Sequence, residues 1–515
     1  MTASRGPSAD ETRQVAGRRG AYRLTFVAVV VLLAFGLGTS AQAQVAAERP
    51  NVIFILTDDQ PKSTLRYMPN VQSRLKGEGR TFTNSFNVYP LCCPSRAIIQ
   101  RGQYAHNTGV FGNEPYRGGG YETFDRLDRE QSTMATWIHD AGYYTGYLGK
   151  YMNGFSGPPP PGWDDWGTPT VASDPMGAAT VSTTGELTDA QVADHAMLFA
   201  QERTPSAQPF FMQIGFHAPH VPNTWEPQYD GQFDGKTVPR TPSFDEADVS
   251  DKPRYIREDK PPLTNQTNPR VDDACDPLPN SLEQNDCQYP RQLRALQTID
   301  QFVANLTDYL ASKGELSNTY IVYYTDNGNH WGEHRLDYGK LTPYETDTNF
   351  PLLMRGPSVP QGTTSKLLVG NHDIAPTFAR IAGASVPSFV DGRSFLRIAD
   401  ADPNNDTPWR TALYMERRWA ASWTLPNKSD PQYVPPYEGV RTQASSYVRY
   451  RDDPWTALSD PGFKEYYDLG ADPHQLRNLA YYREVPQSTL DGLQQRLVGL
   501  RGCKADACRA AENGP

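Results

Sequence analysis

The chain has 515 residues, 21% of them charged and 38% hydrophobic, with a formal net charge of −10. That length and balance exclude a disordered chain and leave room for a large core and more than one folded unit. An acidic chain offers no global attraction for nucleic acid or an anionic membrane surface, so an anionic ligand needs a local cluster of Lys, Arg or His.

In chain order, the first segment stands apart. Arg18, Arg19 and Arg23 precede an apolar run from Leu24 to Leu37, and Ala41-Gln42-Ala43 follows. That is the order of a secretory signal, residues 1–43, cleaved after Ala43. The run is shorter than the roughly 20 residues a spanning helix needs, so no stable membrane span is expected after cleavage. An uncleaved anchor is the alternative, and Arg18-Arg19 leaves general and twin-arginine export both open. The expected location is secreted or extracytoplasmic, where cysteines pair. Cys92 and Cys93 are adjacent and not expected to bridge each other. The other four cysteines allow three pairings, of which Cys275 with Cys287 and Cys503 with Cys508 is the simplest.

Arg49-Pro50 opens the folded part. Asn51 to Leu56 is largely apolar and β-branched, as in a strand buried on both faces of a parallel sheet, and it ends in Thr57-Asp58-Asp59. Phe210 to Phe216 repeats the pattern and ends in His217-Ala218-Pro219-His220. Tyr320 to Tyr324 does so again and ends in Thr325-Asp326-Asn327-Gly328. Ligands of open α/β sheets sit at the carboxyl ends of the strands, so these polar ends are expected to converge. Leu293, Leu296, Ile299, Phe302, Val303 and Leu306 recur at three and four, which predicts an amphipathic helix that stops at Gly314. Thr133 to Ile138 and Ile374 to Ile381 read as shorter helices, the second capped by Asp373. Segments 155–184 and 222–290 read as long loops that wall a substrate cleft. The chain turns polar at 401–407, the expected boundary between a main unit, 49–400, and a C-terminal subdomain, 401–515. Short strands are expected in the latter at 412–415 and 447–450.

Two adjacent carboxylates at a buried strand end repel each other unless a cation joins them. Asp58, Asp59, Asp326 and Asn327 together offer an oxygen set suited to Ca²⁺ or Mg²⁺ rather than zinc. His217 and His220 lack a third nitrogen or sulfur ligand beside them.

The motifs 51–60 (N-V-I-F-I-L-T-D-D-Q), 92–96 (C-C-P-S-R), 149–151 (G-K-Y), 218–220 (A-P-H), 325–328 (T-D-N-G) and 340–345 (K-L-T-P-Y-E) follow one another along the chain. They resemble, in order, the motifs of the type I, formylglycine-dependent sulfatases, and 466–480 is similar to that family's C-terminal motif. The resemblance implies an α/β, alkaline-phosphatase-like catalytic domain over 49–400, with a central mainly parallel sheet flanked by helices. It implies a smaller C-terminal α+β domain with an antiparallel sheet over 401–515. The activity it implies is sulfuric ester hydrolysis by Cα-formylglycine, made from Cys92 by a formylglycine-generating enzyme. Cys92, not Cys93, has the single residue before Pro94 that C-x-P-S-R requires. By the same resemblance Asp58, Asp59, Asp326 and Asn327, with an oxygen of modified Cys92, bind the divalent cation, Ca²⁺ or else Mg²⁺. Arg96 holds the modified side chain, Lys150 and Lys340 contact sulfate oxygens, and His220 donates a hydrogen bond to the substrate. One hydroxyl of the hydrated aldehyde attacks sulfur, the alcohol leaves, and deprotonation of the second hydroxyl expels sulfate.

Two departures from the family pattern stand out. Arg101-Gly102 replaces the Thr-Gly of many relatives. Met152 stands where many have a His, and His106 or His330 is the candidate replacement, with His330 also a candidate substrate contact. Tyr104 to Asn107, Gly149 to Asn153 and Pro161 to Trp166 are similar to the N-acetylglucosamine-6-sulfatase branch. That implies a sulfated saccharide substrate. The alternatives are a broad arylsulfatase acting on aryl sulfate esters, or a phosphodiesterase or phosphonate monoester hydrolase on the same scaffold.

Overall fold

Strand β1 (Asn51–Asp58) is buried at all eight positions, as a central strand covered on both faces must be. The computed structural model describes residues 49–514, less 116–117, 168–186, 206, 268–270, 400–408, 419–432 and 452–461. The expected signal, residues 1–43, lies outside the described residues. No described helix is long and apolar enough to cross a membrane.

The main sheet comprises β1 with β2 (Arg80–Phe82), β4 (Tyr144–Gly149), β5 (Asp165–Gly167), β6 (Phe210–Pro219), β7 (Thr319–Thr325), β8 (Leu352–Arg355) and β9 (Thr363–Ser365). A short parallel pair joins β3 (Ser85–Phe86) to β10 (Val369–Gly370). The eight strands run in the order β5-β4-β6-β1-β7-β8-β2-β9. Pairs from β5 to β7 are parallel, and β8 is antiparallel to both β7 and β2. The three strands with chemically capable ends are therefore immediate neighbours. Leu56 lies level with Gly215 and Tyr324, and Thr57 with Thr325. A bulge between Leu56 and Asp58 then turns the end of β1 toward Pro219.

Helices cover both faces, and the long one spans Ser281–Ser312. It begins well before its apolar stripe, so the loop expected over 222–290 stops at Asn280. The Asn280 side chain caps the helix by accepting from the Glu283 N–H at 3.0 Å. Pro290 inside the helix forfeits one backbone bond but does not end it. Gly314 follows the helix at φ 76°. Asp373 also departs from expectation. It precedes the helix Ile374–Ala382 without a side-chain cap, because Arg410 takes both its oxygens at 2.6 Å. Both local disulfides, Cys275–Cys287 and Cys503–Cys508, are present, and Cys92 and Cys93 are free and buried.

The C-terminal part holds an antiparallel sheet, β11 (Ala412–Arg417), β12 (Tyr437–Thr442), β13 (Ser445–Tyr450) and β14 (Lys464–Asp468). Buried Glu465 on β14 accepts from Tyr344, Tyr450 and Tyr467 hydroxyls at 2.8, 2.8 and 2.6 Å. Glu512, on the last helix (Asp506–Asn513), reaches Arg410, Arg393, His372 and Tyr104 within 2.6–3.1 Å.

Candidate active site

Cys92 is the first residue of the helix Cys92–Arg101, and Pro94 sits in its first turn, where a missing N–H costs nothing. The free N–H groups and dipole of that turn favour negative charge near position 92. The left-handed Gly102 (φ 64°) ends the helix. Arg101 ties that end down by donating to Ser132 O at 2.7 Å and Arg129 O at 3.1 Å.

The Cys92 thiol lies 3.4 Å from Asp58 Oδ1 and 4.0 Å from Asp59 Oδ1, and Lys340 Nζ donates to it at 2.8 Å. Arg96, one turn along the same helix, donates to Asp326 Oδ2 at 2.7 Å and to Lys150 O at 2.6 Å. Lys150 pairs with Asp58, and Lys340 with Asp59. His220 Nε2 stands 3.7 Å from Asp59 Oδ2. Asp326 Oδ1 accepts the Asp59 N–H at 3.3 Å, and Asn327 Nδ2 donates to Asp59 Oδ1 at 2.6 Å. Asp58, Asp59, Asp326, Asn327, Cys92, Arg96, Lys150, His220 and Lys340 thus meet at one point, from segments far apart in sequence.

Local packing explains how two of them arrive. Gly149 has φ 87°, and a Cβ there would stand 2.2 Å from Gly215 O. The missing side chain lets the end of β4 touch β6, where Lys150 N–H donates to Gly215 O at 2.7 Å. The His217-to-His220 segment is held by Asp189, which accepts the His217 and Ala218 N–H groups at 2.8 and 3.0 Å.

Charge is crowded here. Burial, Asp58 and Asp59 push Asp326 up, to about 6, and burial and Asp58 push Asp59 up against Lys340. Asp58 stays well below its ordinary value: burial opposes, but Lys150, His220, Arg96 and Lys340 outweigh it. Burial, then Asp58, raises the Cys92 thiol to about 12, so an unmodified thiol stays neutral at this position. Burial lowers His220, with Lys150 and Lys340 adding to it against Asp58. One ligand atom each from Asp58, Asp59, Cys92 and His220 lies within 4.8 Å of the others. Asn327 Oδ1 is buried without a hydrogen-bond partner. An orphaned amide oxygen among three buried carboxylates fits a hard divalent cation.

His330 is not brought to this point. It is buried with Nδ1 at 2.9 Å from Asp347 Oδ1, while Asp347 Oδ2 accepts the Thr342 N–H and hydroxyl at 2.8 and 2.6 Å. His106 lies elsewhere, with Nδ1 2.7 Å from Glu416 Oε1. Sequence reasoning missed Asp189, which carries no motif, and Arg291, which lines the adjoining cavity with Asp272 and Asp273.

The sulfatase family model matches residues 50–384, and the model for the C-terminal part of N-sulphoglucosamine sulphohydrolase matches 332–502. N-acetylglucosamine-6-sulfatase of Capra hircus is 32% identical over 92% of this chain and 87% of its own. The Homo sapiens protein of that name is 31% identical over 90% and 86%. A solved protein in complex with its substrate D-glucosamine-2-N,6-O-disulfate superposes with TM-score 0.67 at 24% identity, covering 90% of this chain and 98% of that one. The phosphonate monoester hydrolase of Silicibacter pomeroyi shares the fold at TM-score 0.62 and 20% identity, over 88% and 96%. With the family match covering well over half the chain and relatives matching nearly end to end, the chain belongs to the sulfatase family and is a sulfuric ester hydrolase.

Proposed function

We propose that the protein is exported and releases sulfate from a saccharide, such as a 6-O-sulfated N-acetylglucosamine unit, with Cys92 converted to formylglycine by a formylglycine-generating enzyme. The observation that carries this reading is the convergence of Cys92, four oxygen-bearing side chains and two lysines in a chain whose relatives bear the name N-acetylglucosamine-6-sulfatase. Oxidised and hydrated, position 92 supplies two hydroxyls on one carbon, the first to attack sulfur and the second to expel sulfate from the resulting ester. Asp58, Asp59, Asp326 and Asn327 are the residues to hold Ca²⁺, or Mg²⁺, which when bound lowers the pKa of a neighbouring hydroxyl.

The chain's own groups do the rest. Lys150 and Lys340, now paired with carboxylates, are free to face sulfate oxygens once those carboxylates bind the cation. Arg96 fixes Asp326 and the Lys150 backbone, and so aligns both sides of the site. His220 faces the cavity and serves the substrate oxygen that leaves. The place of His330 supports a positioning role, because it braces the Asp347–Thr342 contact next to Lys340.

A broad arylsulfatase is the second reading, favoured by the Volvox carteri arylsulfatase at 30% identity over 94% of this chain. A panel of defined sulfated saccharides and aryl sulfates decides between them, and peptide mass spectrometry at Cys92 tests the nucleophile that both readings share. An unmodified thiol in fully active protein contradicts the proposed nucleophile.

A further inference from the structure

A cavity of about 670 Å³ adjoins the site and is lined by Asp59, His220 and Lys340 together with Asp272, Asp273 and Arg291. That volume suits a small ligand. Arg291 stands on the helix Ser281–Ser312, one turn beyond Cys287, whose disulfide to Cys275 ties this helix to the strip carrying Asp272 and Asp273. The wall is therefore fixed from both sides.

Its polar groups divide into used and unused. Asp272 accepts from Arg291 Nε at 2.7 Å, Gln288 Nε2 at 3.1 Å and Asn223 N at 3.2 Å, so its carboxylate is spent on holding Arg291. The guanidinium also covers one face of Trp225 at 4.9 Å, which fixes its plane. Its two terminal nitrogens have no hydrogen-bond partner among the described residues, and neither does the exposed Asp273 carboxylate. A forked donor and a bare acceptor lining one cavity complement the hydroxyls and acetamide of a sugar ring. The wall has two carboxylates for one guanidinium, so a second anionic group there meets net repulsion.

We propose that Arg291 and Asp273 form the subsite that reads the sulfated sugar, selecting units with neutral hydroxyl and acetamide groups over units with a second anion. This rests on the saccharide reading above.

The test is steady-state kinetics of the formylglycine-bearing holoenzyme on N-acetylglucosamine-6-sulfate, glucosamine-2-N,6-O-disulfate and 4-nitrophenyl sulfate. Arg291→Ala is expected to lower the ratio of kcat/KM for N-acetylglucosamine-6-sulfate over 4-nitrophenyl sulfate by about ten-fold or more, since a site built to bond a polar substrate loses its donors. Arg291→Lys, which keeps charge and stem but not the fork, serves if the alanine variant fails to fold, and should lower the ratio by a smaller factor. Asp273→Asn is expected to raise disulfate turnover relative to the monosulfate by about five-fold. A ratio unmoved by both Arg291 variants, or a disulfate preference unmoved by Asp273→Asn, overturns the subsite while leaving the saccharide reading intact. Wild-type turnover of 4-nitrophenyl sulfate and of neither saccharide overturns both.

Discussion

Cys92 and Cys93 share one helical turn and equal burial, but only Cys92 faces the carboxylates. Cys93 donates its backbone N–H to Asn113 Oδ1 at 3.0 Å and packs into the apolar core. Cys92→Ala should abolish sulfate release and Cys93→Ala should retain most of it; equal loss in two folded variants contradicts the assignment. Asp326→Ala should lose bound cation and activity together, as read by metal analysis of the desalted protein beside an activity assay. Full wild-type activity after exhaustive chelation contradicts the metal role. Much at this scale was legible in the sequence. The C-x-P-S-R spelling is local, and paired polar residues after a buried strand advertise chemistry. The contacts of Lys150 with Asp58 and Lys340 with Asp59 span 92 and 281 positions, so only motif context pointed to them. Arg291 had no such context, because a lone cation on a polar helix reads as solvated.

Among the elements, β4 depends on an absent side chain. Gly149→Ala forces a left-handed φ and a collision with Gly215 O, and is expected to cost about 2 kcal/mol or more. Because Lys150 follows directly, activity should fall further than the melting temperature explains, which paired thermal melts and kinetics at a temperature well below unfolding would reveal. Unchanged activity in a destabilised Gly149→Ala variant would show that Lys150 tolerates displacement. The three strands whose ends meet at the candidate site were visible as continuous apolar runs, and their adjacency followed from the rule that ligands sit at strand ends. The start of the long helix at Ser281 was not visible. Its first turns are polar and contain Pro290, and a cap at Asn280 with the tie from Cys287 to Cys275 outweighs that local signal.

In the molecule as a whole, the C-terminal helix is fastened to the main core through Glu512. Burial raises the Glu512 pKa, but Arg410, His372 and Arg393 outweigh it and hold the carboxyl at about 2, against an ordinary 4.5. A depressed carboxyl stabilises the fold fully above its ordinary value. That stability is lost as pH falls from 4.5 toward 2. Thermal melts from pH 6 down to about pH 2.5 should therefore show a steeper loss for the wild type than for Glu512→Gln. At neutral pH, Glu512→Ala should cost about 3–5 kcal/mol, because it removes the one carboxylate that buried His372, Arg393 and the Tyr104 hydroxyl share. Parallel acid profiles for wild type and Glu512→Gln would assign the acid response to other carboxylates.

Tyr344 belongs to the segment that delivers Lys340, while Tyr450 and Tyr467 belong to the antiparallel sheet, yet one carboxylate, Glu465, receives all three hydroxyls. The boundary between catalytic and C-terminal sequence is therefore not a boundary of interchangeable modules. A chimera that swaps in a relative's four strands must also bring an acceptor at the Glu465 position, or it leaves the Tyr344 hydroxyl buried and unanswered beside the loop that carries Lys340.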